Sequence, residues 1–159
     1  MSTVNRLSKD EYGCLLALSA STRSEDSKTK VGAAAMTKEG RIIGLSYNGL
    51  ATGMLKPSWM DKEENRVKKG LFFIHAEQNL AALLKKGECD TIYTTISPCV
   101  SCANTIIAHG VSRVVYLNEY HRCVQFKEIF DFYKIEHKML DETEKSHILE
   151  TINSLTSFF

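Results

Sequence analysis

Two short motifs restrict this chain more than anything else in it, because the side chains they carry are useful only if the fold brings them to one point. The first is His75-Ala76-Glu77 and the second is Pro98-Cys99-Val100-Ser101-Cys102. Cysteines three apart share one face of a helical turn. At a helix N-terminus, free N–H groups and the helix dipole favour their thiolate forms. Thiolate and imidazole are the ligands zinc prefers, in a tetrahedron. With His75 as third ligand, one position stays open, as a catalytic site requires and a structural site does not. Two thiolates balance the charge of Zn²⁺. Glu77, two residues beyond His75, is then close to the metal and free to carry protons. The alternatives for a C-x-x-C pair are a structural zinc half-site or a redox pair. The first needs a fourth strong ligand, and Cys14, Cys89, Cys123, His109, His121, His137 and His147 sit in no ligand spacing. The second leaves His75 and Glu77 unexplained.

The elements around these motifs follow from periodicity. Ser8 and Glu11 form a capping box, opening a helix in which Tyr12, Leu15 and Leu16 share one face. Val31–Thr37 and Arg41–Asn48, joined by Lys38-Glu39-Gly40, read as an antiparallel hairpin. Residues 50–70, with Pro57, Trp59 and a charged run from Asp61 to Lys69, read as an inserted loop carrying a short exposed helix, with Trp59 as a loop anchor or core residue. A helix from His75 carries Ala76, Leu80, Leu83 and Leu84 on one face and closes at Gly87. Thr91–Ile96 is a strand. Ser97 as N-cap and Pro98 as first helical residue start a helix ending at Gly110. Arg113–Leu117 is a strand, Val124–Tyr133 a helix, and Ile135–Met139 a short fifth strand. A last helix from Asp141 places Ile148, Leu149, Ile152, Leu155 and Phe159 along one stripe, either packed on its own domain or, as Phe158 and Phe159 suggest, forming a subunit contact. Strands alternating with helices after residue 71 predict an α/β layer with parallel strands behind the hairpin.

Bulk properties narrow the function. The 159 residues fit one domain, residues 1–159, and the 43% hydrophobic fraction suffices for a core. Lys and Arg number 20 against 19 Asp and Glu, a formal charge of +1, so no broad basic field draws the chain onto nucleic acid. The first residues show no apolar signal region, and no apolar run suits a membrane span. Five cysteines without an export signal suit reduced thiols or metal ligands. A soluble, cytoplasmic protein that binds neither membrane nor nucleic acid is expected.

H-x-E followed by P-C-x-x-C is the zinc deaminase signature. Zinc so held lets water ionise near neutrality, and Glu77 is read as the group that moves the proton to the ring N3 while hydroxide attacks C4, and then to the leaving ammonia. Further segments point to a family. Arg23-Ser24-Glu25-Asp26-Ser27-Lys28-Thr29-Lys30-Val31-Gly32-Ala33 resembles the R-S-x-D-x-x-T-x-V-G-A opening of deoxycytidylate deaminases. Gly40–Gly44 with Ser46-Tyr47-Asn48-Gly49 resembles their G-x-I-I/V-G-x-G-Y-N-G segment, His75–Asn79 their H-A-E-L-N, and Ile106–Val111 with Val114–Tyr116 the run after P-C-x-x-C. The chain departs from the pattern at Ser46, where glycine is usual, and at Gln78, where leucine is.

The resemblance, over roughly residues 12–139, implies a three-layer α/β/α cytidine deaminase-like fold with a five-stranded mixed sheet. It implies hydrolysis of dCMP to dUMP and ammonia, one catalytic Zn²⁺, a homohexamer, and control by dCTP as activator and dTTP as inhibitor with Mg²⁺ on the effector. Asn48 then contacts the sugar, Arg23 grips the 5′-phosphate, Ser24 and Ala76 belong to the substrate-binding set, and Tyr120 with His121 completes the phosphate pocket, while Tyr47 and Gly49 belong to the effector segment. Some relatives hold a second zinc in the insertion; residues 50–74 contain neither Cys nor His, so a single zinc is expected. The rivals are a tRNA or polynucleotide deaminase, which needs basic and aromatic surfaces, a nucleoside deaminase lacking a phosphate grip, and a zinc-stabilised binding module without catalysis.

Overall fold

The hairpin forms as its residues require. In the computed structural model, which describes residues 5–159, β1 (Gly32–Met36) pairs antiparallel with β2 (Ile42–Tyr47). Gly40 turns the chain between them with φ +90°, a left-handed conformation that costs glycine little. The other edge of β1 pairs antiparallel with β3 (Thr91–Ile96), and β3, β4 (Arg113–Asn118) and β5 (Glu136–Met139) follow in parallel. The order β2-β1-β3-β4-β5 is a five-stranded mixed sheet.

Side chains alternate across the strands and build a core on each face. On one face Ala33, Ala35, Ile92, Val114 and Tyr116 meet α3 (Ala76–Ala81), α4 (Val100–Ala108) and α5 (Phe126–Phe132), which contribute Leu80, Ile106, Phe126 and Phe130. On the other, Ala34, Met36, Tyr93 and Val115 meet α1 (Lys9–Ser21) and α6 (Glu142–Ser154) through Cys14, Ala17 and Ile148. This is the three-layer α/β/α arrangement.

The helices depart from the periodic reading in four places. The capping box at Ser8 forms, but α1 turns Gly13, Cys14, Ala17 and Ser21 inward and leaves Tyr12 exposed, with Leu15 and Leu16 half-buried. The cause is close approach. A Cβ on Gly13 would lie 2.4 Å from the Tyr93 ring, and one on Gly32 1.8 Å from the Ala17 carbonyl oxygen, so small residues face the sheet and large ones flank it. Helix α3 ends at Ala81 instead of Gly87, and Leu83 lies 63% exposed outside the core. Helix α4 begins after Cys99, not at Ser97 and Pro98. Ser97 is still tied to the sheet, its N–H donating to the Asn118 carbonyl and its hydroxyl accepting from the Tyr120 N–H. Of the C-terminal stripe only Ile148 is buried; Leu149, Ile152, Leu155 and Phe159 remain exposed in the single chain.

The insertion is more structured than a loop with an exposed helix. Two 3₁₀ turns (Ser58–Asp61 and Glu63–Asn65) lead into α2 (Arg66–Gly70). Met60 and Lys69 are buried. The Lys69 ammonium lies 2.9 Å from the Asp26 carboxylate, both side chains under 10% exposed. Trp59 anchors the segment, edge-on to Phe72 at 5.9 Å with the Lys68 ammonium over its ring. Among the described residues no helix is long and apolar enough to cross a membrane.

Candidate active site

Helices α3 and α4 lie side by side, and the residues that cap their N-termini are His75 and Cys99. Both helices therefore start at the same place, and Cys102, in the first turn of α4, completes the cluster. His75 Nδ1 is 3.5 Å from Cys99 Sγ and 3.3 Å from Cys102 Sγ, and the three donor atoms lie within 4.8 Å of one another. A tetrahedral zinc with ordinary bond lengths separates nitrogen from sulfur by about 3.6 Å, so the donor set fits that ion.

The donor groups are strongly coupled to one another. A hydrogen bond from Cys102 brings the Cys99 thiol down to about 4, with burial opposing and His75 assisting. The same bond, together with burial and the nearby Glu77, pushes Cys102 up. The hydrogen bond with Cys99 raises His75 against its burial. Glu77 is 4% exposed, and burial raises its carboxyl above the usual carboxylate range.

Above the cluster a cavity of about 200 Å³ is lined by Thr29, Val31, Asn48, Arg66, His75, Ala76, Glu77, Ile96, Ser97, Cys99 and Tyr120. Asn48 is fixed by its own hydrogen bonds. Its Oδ1 accepts from the Ser24 hydroxyl at 2.7 Å and the Val31 N–H at 2.9 Å, and its Nδ2 donates to the Thr29 carbonyl at 3.0 Å. One Nδ2 hydrogen remains for a ligand.

The structure thus brings His75, Ala76, Glu77, Cys99, Asn48 and Tyr120 to one cavity. Ser24 stands behind Asn48 and does not line it. His121 is exposed beside the Tyr120 ring and does not line it either. Arg23 is also absent from the lining. The chain continues turning past α1, with Arg23 N–H bonded to the Ala20 carbonyl and Ser24 N–H to that of Ser21, and the Arg23 side chain is exposed. The cation that lines the cavity is Arg66, which sequence reasoning missed because a lone arginine in the charged run from Asp61 to Lys69 looks solvated. Tyr47 and Gly49 line a separate cavity with Leu45, Ser46, Leu50, Thr52, Asn79 and Leu83. Ser46 uses its hydroxyl to donate to the Ala76 carbonyl at 2.6 Å, tying β2 to the His75–Glu77 turn.

A His/Cys/Cys cluster at two adjacent helix starts over a five-stranded mixed sheet defines the cytidine deaminase-like class. Comparison with known proteins is specific within it. The family described as "Cytidine and deoxycytidylate deaminase zinc-binding region" matches residues 7–118. Deoxycytidylate deaminase of Mus musculus is 33% identical over 120 residues, 70% of this chain and 66% of that protein. Deoxycytidylate deaminase of Mycobacterium phage D29 is 35% identical over 124 residues, 69% of this chain and 94% of that protein. The dCMP deaminase of cyanophage S-TIM5 superimposes with a TM-score of 0.66 in its apo form, at 25% identity, covering 82% of this chain and 96% of that one. Its complex with dCMP and dUMP superimposes with a TM-score of 0.60, again at 25% identity, covering 82% of this chain and 93% of that one. The chain belongs to the cytidine and deoxycytidylate deaminase family.

Proposed function

We propose that this protein hydrolyses dCMP to dUMP and ammonia with one zinc ion. The observation that carries this reading is the buried Glu77 carboxyl beside the His75, Cys99 and Cys102 donors, at the floor of a cavity sized for a nucleotide base. The relatives named deoxycytidylate deaminase and the S-TIM5 complex with dCMP and dUMP support the substrate. When bound, zinc supplies a Lewis acid that makes water nucleophilic at neutral pH.

The chain's own residues do the rest. Val31 and Ile96 give the cavity apolar walls against which a flat ring can rest. Asn48, immobilised by Ser24, Val31 and Thr29, offers its remaining N–H to the sugar. Glu77 takes a proton from the attacking water and delivers it to ring N3, and then carries a proton to the departing amine. The C4–N bond breaks, a C4–O bond forms, and ammonia leaves. Burial keeps bulk water from competing for these protons.

The finer features complete the reading. The cavity at Tyr47 and Gly49 is the proposed place for dCTP and dTTP, with Mg²⁺ on their phosphates. The exposed Leu149, Ile152, Leu155 and Phe159 are proposed subunit contacts of a cytoplasmic homohexamer.

The test is ammonia release by the zinc-loaded protein from dCMP, CMP, deoxycytidine and a short single-stranded oligonucleotide, with and without dCTP and Mg²⁺. Release from dCMP ahead of the others supports the reading. Release from the oligonucleotide alone assigns the site to polynucleotides, and release from none leaves a zinc-binding module.

A further inference from the structure

Among the described residues the cavity lining holds one fixed positive charge, and that charge comes from the insertion and not from the segment after α1. Of the lining residues only Arg66 carries a permanent cation, and Thr29 and Tyr120, each bearing a hydroxyl, line the same space. Neighbouring cations are engaged elsewhere. Lys69 is spent on Asp26, Lys30 donates to the Ser24 carbonyl, Lys56 is held by Asp61 and the Glu25 carbonyl, and Lys28, in an exposed pair with Glu63, does not line the cavity. Among the described residues Arg66 has only a long contact to Glu63, at 3.8 Å between exposed groups, which binds weakly.

Its position is nevertheless determined. Arg66 and Lys69 are three apart on α2 and so lie side by side on one face of the same turn. The buried Lys69–Asp26 pair holds that turn against the Ser24–Thr29 loop, where Asp26 also accepts the N–H groups of Lys28 and Thr29. The Ser27 hydroxyl, donating to the Asp61 carboxylate, ties the first 3₁₀ turn of the insertion to the same loop. Thr29 belongs both to this loop and to the cavity wall, so the anchor of α2 and the lining of the site are one structure.

Resting on the nucleotide deaminase reading above, we propose that Arg66 grips the 5′-phosphate of the substrate and sets the preference for nucleotide over nucleoside, with Lys69 and Asp26 as positioning residues. A planar guanidinium presents paired N–H donors to phosphate oxygens, and such charge-assisted bonds are the strong ones.

The experiment compares wild type, R66A, R66K and R23A as zinc-loaded proteins. Steady-state kinetics are measured on dCMP and deoxycytidine, and binding of the products dUMP and deoxyuridine by calorimetry, which needs no turnover. R66A is expected to raise KM for dCMP and Kd for dUMP roughly 10- to 100-fold. The values for deoxycytidine and deoxyuridine, and kcat on dCMP, move by less than about threefold. R66K recovers part of the loss. Equal losses on nucleotide and nucleoside overturn the proposal in favour of a structural role. No loss in R66A, or a nucleotide-selective loss only in R23A, removes Arg66 from the phosphate. Wild-type turnover decides the parent reading separately: dCMP hydrolysed normally by both wild type and R66A defeats only the Arg66 assignment, whereas a zinc-loaded wild type that releases no ammonia from dCMP defeats the parent reading and the assignment with it.

Discussion

In the proposed mechanism Glu77 moves protons, and the structure buries it beside the His75, Cys99 and Cys102 donors without making it part of that donor set. Glu77→Gln keeps the size of the side chain and removes its ability to exchange a proton. We expect the variant to retain one zinc per chain by metal analysis while kcat falls roughly 10²- to 10⁴-fold. Loss of zinc would show that the carboxylate holds the metal. Ser46 makes a different kind of contribution, because its hydroxyl fastens β2 to the carbonyl between His75 and Glu77. Ser46→Ala is expected to cost about 1 kcal/mol in urea unfolding and to lower kcat more than it changes KM. An unchanged kcat would confine Ser46 to stability. His75, Glu77, Cys99 and Cys102 were legible in sequence because metal and proton chemistry demand those residue types at those spacings. Ser46 and Arg66 were not, because a serine in a strand and an arginine in a charged run look the same whether they face solvent or a site.

Among the elements, the hairpin, three later strands and six helices were legible from periodicity and caps, and the errors cluster where backbone groups have a choice of partner. Ser97 looks like an N-cap in isolation; its bonds to Asn118 and Tyr120 leave that role to Cys99, which moves the helix start onto one of the candidate zinc donors. The charged insertion conceals the buried Lys69–Asp26 pair. Lys69→Met strands the Asp26 carboxylate in a buried place and should destabilise the protein by about 3 kcal/mol in urea. A cost near zero would mean that the pair contributes no net stability. Burial raises Asp26, but bonds from the Lys28 N–H, the Lys69 ammonium and the Thr29 N–H outweigh it and hold the carboxyl below its usual range. A carboxylate depressed on folding stabilises the native state above its unfolded pKa, and that stability is lost as pH falls through the lower native value. Asp26→Asn should therefore be less stable than wild type near neutrality and lose less on acidification below the usual carboxylate range. Parallel acid profiles for the two proteins would remove Asp26 from the acid response.

At the scale of the whole molecule, the proposed zinc ligands connect two helices that the chain separates by β3. Zinc should therefore brace the sheet face formed by α3 and α4. Stripping it with a chelator is expected to lower Tm by roughly 5 °C or more, with recovery on adding zinc back. An unchanged Tm would mean that packing alone joins the helix starts. The sequence by itself determined the class of fold and the donor residues of the candidate site, because motif spacing, side-chain alternation and helix caps are local properties of the chain. The tertiary structure alone decided which small residues of α1 face the sheet, which residue caps α4, and which arginine reaches the cavity. Those outcomes depend on how closely separate segments approach and which partners they take, and no window of sequence contains both sides of such a contact.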